Sequence, residues 1–191
     1  MHGVTSLPIT FRPTQASKKV SSIAAKYDMD CRSYDALYRS EQDAKLDAAE
    51  GVGWSPGGRM VDVGCGTAFL AERLAKPCDL VVGLDISVGM LVRAKRRRRV
   101  ELVLGDSLYP PFRPKSFSSC VCFTSFHHFR RKPRVVAMMA DLVRAGGSVV
   151  FSLLTKGEAF GDERYIMRSR RLELRNRLRV RDESLLVMKR L

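Results

Sequence analysis

Short apolar runs alternate with amphipathic segments through the middle of the chain, and this pattern predicts alternating strands and helices. Apolar runs at residues 60–63, 80–84, 100–104, 117–123 and 148–153 predict five buried strands. Amphipathic helices are expected from Phe69 to about Ala75, from an N-capping Ser87 through Ala94, and from Pro133 to a stop at residues 146–147. Such an alternation favours a parallel sheet covered by helices on both faces.

The two ends of the chain follow different patterns. Residues 1–16 contain Pro8 and Pro13 without a clear period and are expected to form an arm. Residues 17–50 predict two helices, at 17–29 and 33–50. After a helix near 158–169, alternating residues predict strands at 171–180 and 185–191, joined by a hairpin turn at 181–184. We therefore expect one domain over residues 17–191, with its core at 58–191 and a helical lid segment at 17–50.

The turn between the first strand and the helix that follows it contains two glycines one residue apart. Gly64 and Gly66 allow backbone conformations that other residues avoid, and they let a ligand lie against the main chain. The helix that starts next presents unpaired N–H groups to whatever sits over the turn. Because the same glycines could serve only tight strand–helix packing, the turn indicates a ligand site only together with other features.

Three successive strands each deliver an acidic residue. Asp62 closes the first, Asp85 ends the second and Asp106 follows the third. Asp85 lies about twenty residues beyond the glycine turn, the offset at which nucleotide-binding folds place a carboxylate on ribose hydroxyls. Since parallel strands end at the same edge of a sheet, these carboxylates predict a nucleotide-like ligand there.

With these motifs in place, the sequence resembles the class I S-adenosylmethionine-dependent methyltransferases. The matching segments are the glycine loop at 62–67, Asp85-Ile86-Ser87, Gly105-Asp106-Ser107, Pro110-Pro111-Phe112 and Arg144-Ala145-Gly146-Gly147. The resemblance covers roughly residues 27–151. It implies a Rossmann-like α/β fold whose seven-stranded, mostly parallel sheet has the order 3-2-1-4-5-7-6, with a C-terminal antiparallel hairpin. The hairpin pattern at the end of the chain supports this arrangement independently of the motifs.

The resemblance also implies S-adenosylmethionine as the cofactor and S-adenosylhomocysteine (SAH) as its product. The residues expected to bind it are Tyr34, Asp62, Gly64, Cys65, Gly66, Asp85, Ile86, Met90, Asp106 and Ser107. Asp85 would accept hydrogen bonds from the ribose hydroxyls; alternatively, it is a helix-start carboxylate near Ser87. Asp106 would accept one from the exocyclic amine of adenine, and the Ser107 N–H would donate to a ring nitrogen; alternatively, Asp106 only stabilises a loop turn. Asp62 would either hold the turn or meet the methionyl amino group.

Two further groups of expected cofactor contacts have structural alternatives. Ile86 and Met90 could sandwich the adenine, although both also lie at helix-core spacing. The segments Tyr27-Asp28 and Tyr34-Asp35 are similar to N-terminal segments that fold over the cofactor as a lid in this family. Their rings could equally pack the helices onto the sheet.

Methyl transfer from a sulfonium requires mainly in-line positioning of the acceptor, and a general base only where the acceptor must lose its proton early. His127 and His128, just beyond the fourth strand, are the candidates for such a base. Alternatively, they are structural histidines beside Phe126 and Phe129. The segment 124–129 lacks the Asn/Asp-Pro-Pro-aromatic run of enzymes that methylate exocyclic amines of DNA or protein glutamine. A paired histidine is similar to methyltransferases of small metabolites and quinones, and to those that modify the tRNA wobble uridine.

Composition bears on the acceptor. The 191 residues include 34 Lys and Arg against 20 Asp and Glu, for a net charge of +14. Such a basic chain suggests a polyanionic partner, most simply nucleic acid. Basic clusters occur at residues 96–99 and 130–132 and at Arg168, Arg170 and Arg171. Alternatively, the arginines reflect genome composition, a hot habitat or ordinary helix-end capping.

Other classes of protein are disfavoured. The five cysteines show no zinc-ligand spacing, so no metal site is expected. No apolar stretch is long enough for a membrane span, and no signal-peptide core is visible, which predicts a cytoplasmic protein. Phe69 replaces the third glycine of G-x-G-x-x-G, which makes a dinucleotide-dependent oxidoreductase less favoured.

The sequence therefore predicts an S-adenosylmethionine-dependent methyltransferase with RNA, such as tRNA, as the favoured acceptor. A small metabolite is the alternative acceptor. A non-catalytic module that binds S-adenosylmethionine or nucleic acid is a third possibility. The sequence does not determine the oligomeric state.

Overall fold

A computed structural model describes residues 34–157 and 161–191. The helices are α1 (Tyr34–Gly51), α2 (Phe69–Leu74), α3 (Val88–Ala94), α4 (Lys132–Leu142) and α5 (Glu163–Met167). The strands are β1 (Gly58–Val63), β2 (Cys78–Asp85), β3 (Glu101–Leu104), β4 (Phe117–Cys122), β5 (Val143–Leu154), β6 (Leu172–Val180) and β7 (Glu183–Arg190). A short 3₁₀ turn at Phe126–His128 follows β4. The predicted arm, the helix at 17–29 and the Tyr27-Asp28 segment lie outside the described residues.

The seven strands form one sheet of order β3-β2-β1-β4-β5-β7-β6, which confirms the predicted topology. Strands β1 to β5 pair in parallel, whereas β7 runs antiparallel to both β5 and β6. The order reverses at β1, so that β2 and β4 lie on either side of it. In open sheets of this kind, ligands bind beyond the carboxyl ends of the strands at such a reversal.

Alternate residues of the central strands face two apolar layers. Met60 and Val121 point into the layer covered by α1, α2 and α3, where Leu46 and Leu70 are buried. Val61 and Cys120 point into the opposite layer, which is covered by α4 and α5. Helices thus cover both faces, as the alternating pattern predicts, because each central strand must bury both of its sides.

Strand β5 begins earlier than predicted. Val143 already pairs with Phe117, and after an irregularity Ser148 pairs with Ser119. We predicted that residues 146–147 would end the preceding helix, but they lie inside the strand. A Cβ at Gly147 would lie 2.4 Å from the Ser118 carbonyl oxygen, so glycine is needed here for close backbone approach between the strands.

The C-terminal hairpin is tighter than predicted. Val180 pairs with Glu183, so only Arg181 and Asp182 lie between the strands and β7 begins two residues before the expected 185. Within the residues described after the gap at 158–160, the preceding helix is limited to Glu163–Met167. Across the described ranges, no helix is both long and apolar enough to cross a bilayer.

Candidate functional site

Asp85, at the end of β2, holds the glycine loop and the start of α3 together. Its Oδ2 accepts a hydrogen bond from the Gly66 N–H at 2.8 Å, and its Oδ1 accepts one from the Ser87 N–H at 2.8 Å. Ser87 in turn caps α3 by accepting from the Met90 N–H at 3.1 Å, as predicted. Each carboxylate oxygen can accept more than one hydrogen bond, so Asp85 retains capacity for a ligand.

The glycine loop packs closely against the segment that follows β4. Gly64 has φ +77°, and a Cβ there would lie 2.5 Å from the Ser125 Oγ. Ser125 Oγ also donates to the Val63 carbonyl at 3.1 Å. Conformation and space therefore both require glycine at 64, and the loop and the end of β4 form one edge of the site.

Asp62 is buried beneath this loop. Burial, with a smaller contribution from the negative charge of Asp85, raises the pKa of Asp62 to about 7. Burial, with smaller contributions from the negative charges of Asp62 and Asp85, raises the pKa of the neighbouring Cys65 thiol well above its usual range. Cys65 therefore stays a neutral thiol, whereas Asp62 changes charge near neutral pH.

An open pocket separates α1 from the glycine loop. It is lined by Asp35, Tyr38, Arg39 and Gln42 of α1, by Asp62, Gly64, Cys65 and Thr67, and by Phe69, Leu70 and Phe123. Three of the predicted cofactor contacts, Asp62, Gly64 and Cys65, thus meet in one pocket. Tyr34 begins α1, but its side chain lies outside the described part of the structure.

Arg97 links the start of α1 to the glycine loop through ion pairs and a hydrogen bond. Its guanidinium forms ion pairs with Asp35 of α1 and with Glu72 of α2, and its Nε donates to the Thr67 carbonyl at 3.2 Å. Asp35 also accepts a hydrogen bond from the Thr67 hydroxyl. We predicted residues 96–99 as a possible phosphate contact, but the Arg97 side chain turns inward and only 18% of it is exposed.

We expect Arg97→Met to loosen α1 and lower the free energy of unfolding by about 1–3 kcal/mol, because two partly buried carboxylates lose their cation. Arg98→Met is the matched control, since Arg98 is exposed and contacts Glu72 only through its backbone N–H at 2.9 Å. Chemical denaturation of both variants tests this. Equal losses for the two would contradict a fastening role for Arg97.

The predicted adenine contacts lie beyond β2 and β3. Asp106 Oδ1 accepts from the Leu108 N–H at 2.8 Å, so this carboxylate shapes the turn after β3. Ile86 is half-buried, and Met90 is 1% exposed, as the helix-core alternative predicts for it. Ser107 is half-buried beside Asp106. Contact of these four residues with adenine stays a prediction.

His127 and His128 lie in the 3₁₀ turn after β4. Both are half-buried, and their ring centroids are 3.8 Å apart. Phe126 is fully buried and packs edge-on against Phe129 at 6.0 Å and Phe151 at 5.5 Å, which anchors the turn to the core. The histidines do not line the pocket beside the glycine loop. A role as general base stays a prediction.

A buried polar network beside the pocket was not predicted. Lys45 Nζ, fully buried, donates to Glu183 Oε1 at 2.6 Å, to Thr124 Oγ1 at 2.5 Å and to Glu41 Oε1 at 2.8 Å. Glu183 Oε2 accepts from Ser152 Oγ. This network joins α1 to the ends of β4 and β5 and to the start of β7. The sequence carried no signal for it, because Lys45 lies in a helix rich in charged residues and Glu183 lies in the predicted hairpin turn.

Comparison with known proteins agrees with this geometry. Residues 61–151 match the family profile described as "Methyltransferase domain". The chain is 31% identical over 140 residues to the demethylmenaquinone methyltransferase of Corynebacterium kroppenstedtii. That match includes 71% of this chain but only 58% of the relative, so the chain spans less than two thirds of that protein's length.

Solved structures share the fold. Magnesium protoporphyrin IX methyltransferase from Synechocystis PCC 6803, with bound SAH, superposes with a TM-score of 0.74 at 16% identity, over 91% of this chain and all of that one. A chain from the complex of the Haloferax volcanii Trm112 methyltransferase activator with a methyltransferase gives 0.74 at 15% identity, over 86% and 97%. With its glycine loop, its strand-end carboxylates and its sheet order, the chain belongs to the class I S-adenosylmethionine-dependent methyltransferase family.

Proposed function

We propose that this protein transfers a methyl group from S-adenosylmethionine to a small-molecule acceptor. The observation that carries the proposal is the Asp85 carboxylate, which is fixed by the Gly66 and Ser87 N–H groups at the carboxyl edge of β2. A carboxylate oriented in this way suits two adjacent ribose hydroxyls. The acidic Asp62 suits the methionyl ammonium, and the glycine loop leaves the backbone open between them.

The protein's contribution to the reaction is mainly positional. S-adenosylmethionine supplies a methyl group already activated by its sulfonium. The loop at 64–66 would hold the methionyl part, and Ile86, Met90, Asp106 and Ser107 would hold the adenine. Helix α1, with Tyr34 at its start, would close over the pocket as a lid and exclude water. His127 or His128 would accept a proton from the acceptor where one must be lost.

The small-molecule acceptor was the alternative in the sequence analysis, and two observations now favour it over RNA. Two of the three similar proteins named above are methyltransferases of demethylmenaquinone and of magnesium protoporphyrin IX, which are small molecules. Several cations of the expected RNA surface are already paired: Arg97 with Asp35 and Glu72, Lys132 with Asp162 at 3.2 Å, and Arg171 with Asp141. We therefore assign the net positive charge no role in binding the acceptor.

Methyl transfer with labelled S-adenosylmethionine tests the proposal. The protein is incubated separately with a panel of quinol, phenol and carboxylate acceptors and with total tRNA. We expect SAH to form, and label to enter a small molecule. Label in tRNA, with binding that weakens steeply with salt, would restore the RNA acceptor. Binding of SAH without transfer to any acceptor would favour the non-catalytic module.

We expect the affinity for SAH to increase roughly fivefold to tenfold between about pH 6 and pH 8, because Asp62 ionises in this range and its negative charge attracts the ligand's ammonium. The affinity should increase with pH because Asp62 is protonated and neutral below its pKa of about 7, so it attracts the ammonium group only above that pH. Calorimetric titration across this range measures the effect. The thiols of Cys65 and Cys122 should not contribute, because burial raises their pKa values.

Asp62→Asn is the control for this titration. Asparagine keeps the shape of the side chain but cannot ionise, so the affinity should no longer vary with pH. An unchanged pH profile in a folded Asp62→Asn protein would assign the titration to another group and remove Asp62 from the ammonium site.

A further inference from the structure

Gln42 presents a buried amide oxygen that has no partner in the part of the chain that the structure describes. The residue lies in the third turn of α1 and is 5% exposed. Its Nε2 donates to Thr124 Oγ1 at 3.4 Å, but among the described residues its Oε1 accepts no hydrogen bond. A buried carbonyl oxygen left unpaired costs about 1–3 kcal/mol, so such a group calls for a physical reason.

The orientation of the amide is set by its surroundings. Thr124 Oγ1 already accepts from Lys45 Nζ at 2.5 Å and lies 3.3 Å from Glu183 Oε1, to which it donates. Its remaining lone pair can only accept, which requires Gln42 to turn its NH₂ group towards Thr124. The carbonyl oxygen therefore faces the other way, and its position is held by the buried network.

Gln42 lines the same pocket as Asp62 and Gly64. The Asp35 carboxylate also lines the pocket, but it is already paired with Arg97 and with the Thr67 hydroxyl. Asp62, while it is ionised, and Gln42 then offer one charged and one neutral side-chain oxygen that can only accept. An ammonium group has three N–H donors and no acceptor, so it can satisfy both oxygens at once. A carboxylate or an ether in that position would satisfy neither.

We propose that Gln42 Oε1 accepts a hydrogen bond from the α-ammonium group of the methionyl part of the cofactor, as the second acceptor beside Asp62. Gln42 is then a specificity residue that favours a ligand with a donor at this position over the same ligand without one. The inference rests on the proposed function, because it places S-adenosylmethionine in this pocket.

The test compares SAH with an analogue in which hydrogen replaces the α-amino group. Calorimetry measures both ligands against the unmodified protein and Gln42→Met, which keeps the length of the side chain and removes its polar atoms. We expect Gln42→Met to weaken SAH roughly 10-fold to 100-fold and the deaminated analogue less than about 2-fold. Gln42→Glu, which restores an acceptor oxygen, should recover most of the affinity for SAH.

Asp43→Asn, one residue along the same helix, is the matched control. Asp43 Oδ1 pairs with Arg73 at 3.0 Å and is not part of the pocket lining, so neither affinity should change. Thermal unfolding of each variant establishes that it is folded.

Each other result overturns the inference. Equal losses for both ligands in Gln42→Met would show a merely structural role, and unchanged affinities would show no role in binding. A higher KM for the acceptor with unchanged affinity for SAH would place Gln42 at the acceptor instead. If the unmodified protein bound neither ligand, the proposed function itself would be wrong. That outcome differs from one in which the unmodified protein binds SAH and only the role of Gln42 is wrong.

Discussion

Lys45→Met is expected to lower the free energy of unfolding by about 3–5 kcal/mol, the range for removing one partner of a buried ion pair. Lys45 is fully buried and Glu183 is 3% exposed, so neither charge can be solvated once the other is lost. The variant would leave the Glu183 carboxyl group with the hydroxyls of Thr124 and Ser152 and the side chain of Glu41, but without a cation. Denaturant unfolding at neutral pH measures the loss.

Lys156→Met is the matched control for this experiment. Lys156 and Asp182 form a pair at 2.8 Å, but their side chains are 73% and 65% exposed. Water screens such a pair, so its removal should leave the free energy of unfolding nearly unchanged. A similar loss for the two lysine variants would show that the buried network adds nothing to stability.

The dependence of the Lys45→Met effect on pH provides a second check. Burial, followed by the hydrogen bond with Glu41, raises the pKa of Glu183, while Lys45 lowers it. Without Lys45 this pKa rises further, and the native state then binds a proton that the unfolded state releases. The loss of stability should therefore be smaller in mild acid and grow as pH rises through the native pKa of Glu183. The double variant Lys45→Met/Glu183→Gln should recover much of the loss at neutral pH.

Asp85→Ala is expected to weaken SAH binding roughly 10-fold to 150-fold, corresponding to about 1.5–3 kcal/mol for hydrogen bonds to a charged group. It should also lower the free energy of unfolding by at least about 1 kcal/mol, because the Gly66 and Ser87 N–H groups lose their acceptor. The first effect is measured by calorimetry and the second by denaturant unfolding.

Asp79→Ala, at the other end of the same strand, is the control for Asp85. Asp79 is exposed, so its removal should leave both the affinity and the stability nearly unchanged. A folded Asp85→Ala protein that binds SAH as tightly as the unmodified protein would show that the ribose does not lie on this carboxylate.

The sequence by itself determined the parts of the molecule that obey short-range rules. The period of apolar residues predicted the five parallel strands, and Ser87 predicted the start of α3, because strand alternation and helix capping depend on neighbours a few residues away. The glycine turn and the acidic strand ends were read directly from the residues, whereas the sheet order was implied by the family resemblance. The sheet order is confirmed, and the cofactor site at the carboxyl ends of these strands stays a prediction.

Tertiary structure alone decided what surrounds that site. Lys45 meets Glu183 across 138 positions of sequence, Arg97 meets Asp35 across 62, and Gln42 meets Thr124 across 82. In the sequence each is an ordinary polar residue in a helix or a basic run. Only the packing of α1 over the ends of β4, β5 and β7 removes water from these groups. A polar or charged group without a partner costs much more free energy when it is buried than when it is in water. Burial arises only when the helices and the sheet pack together, so the sequence alone does not reveal it.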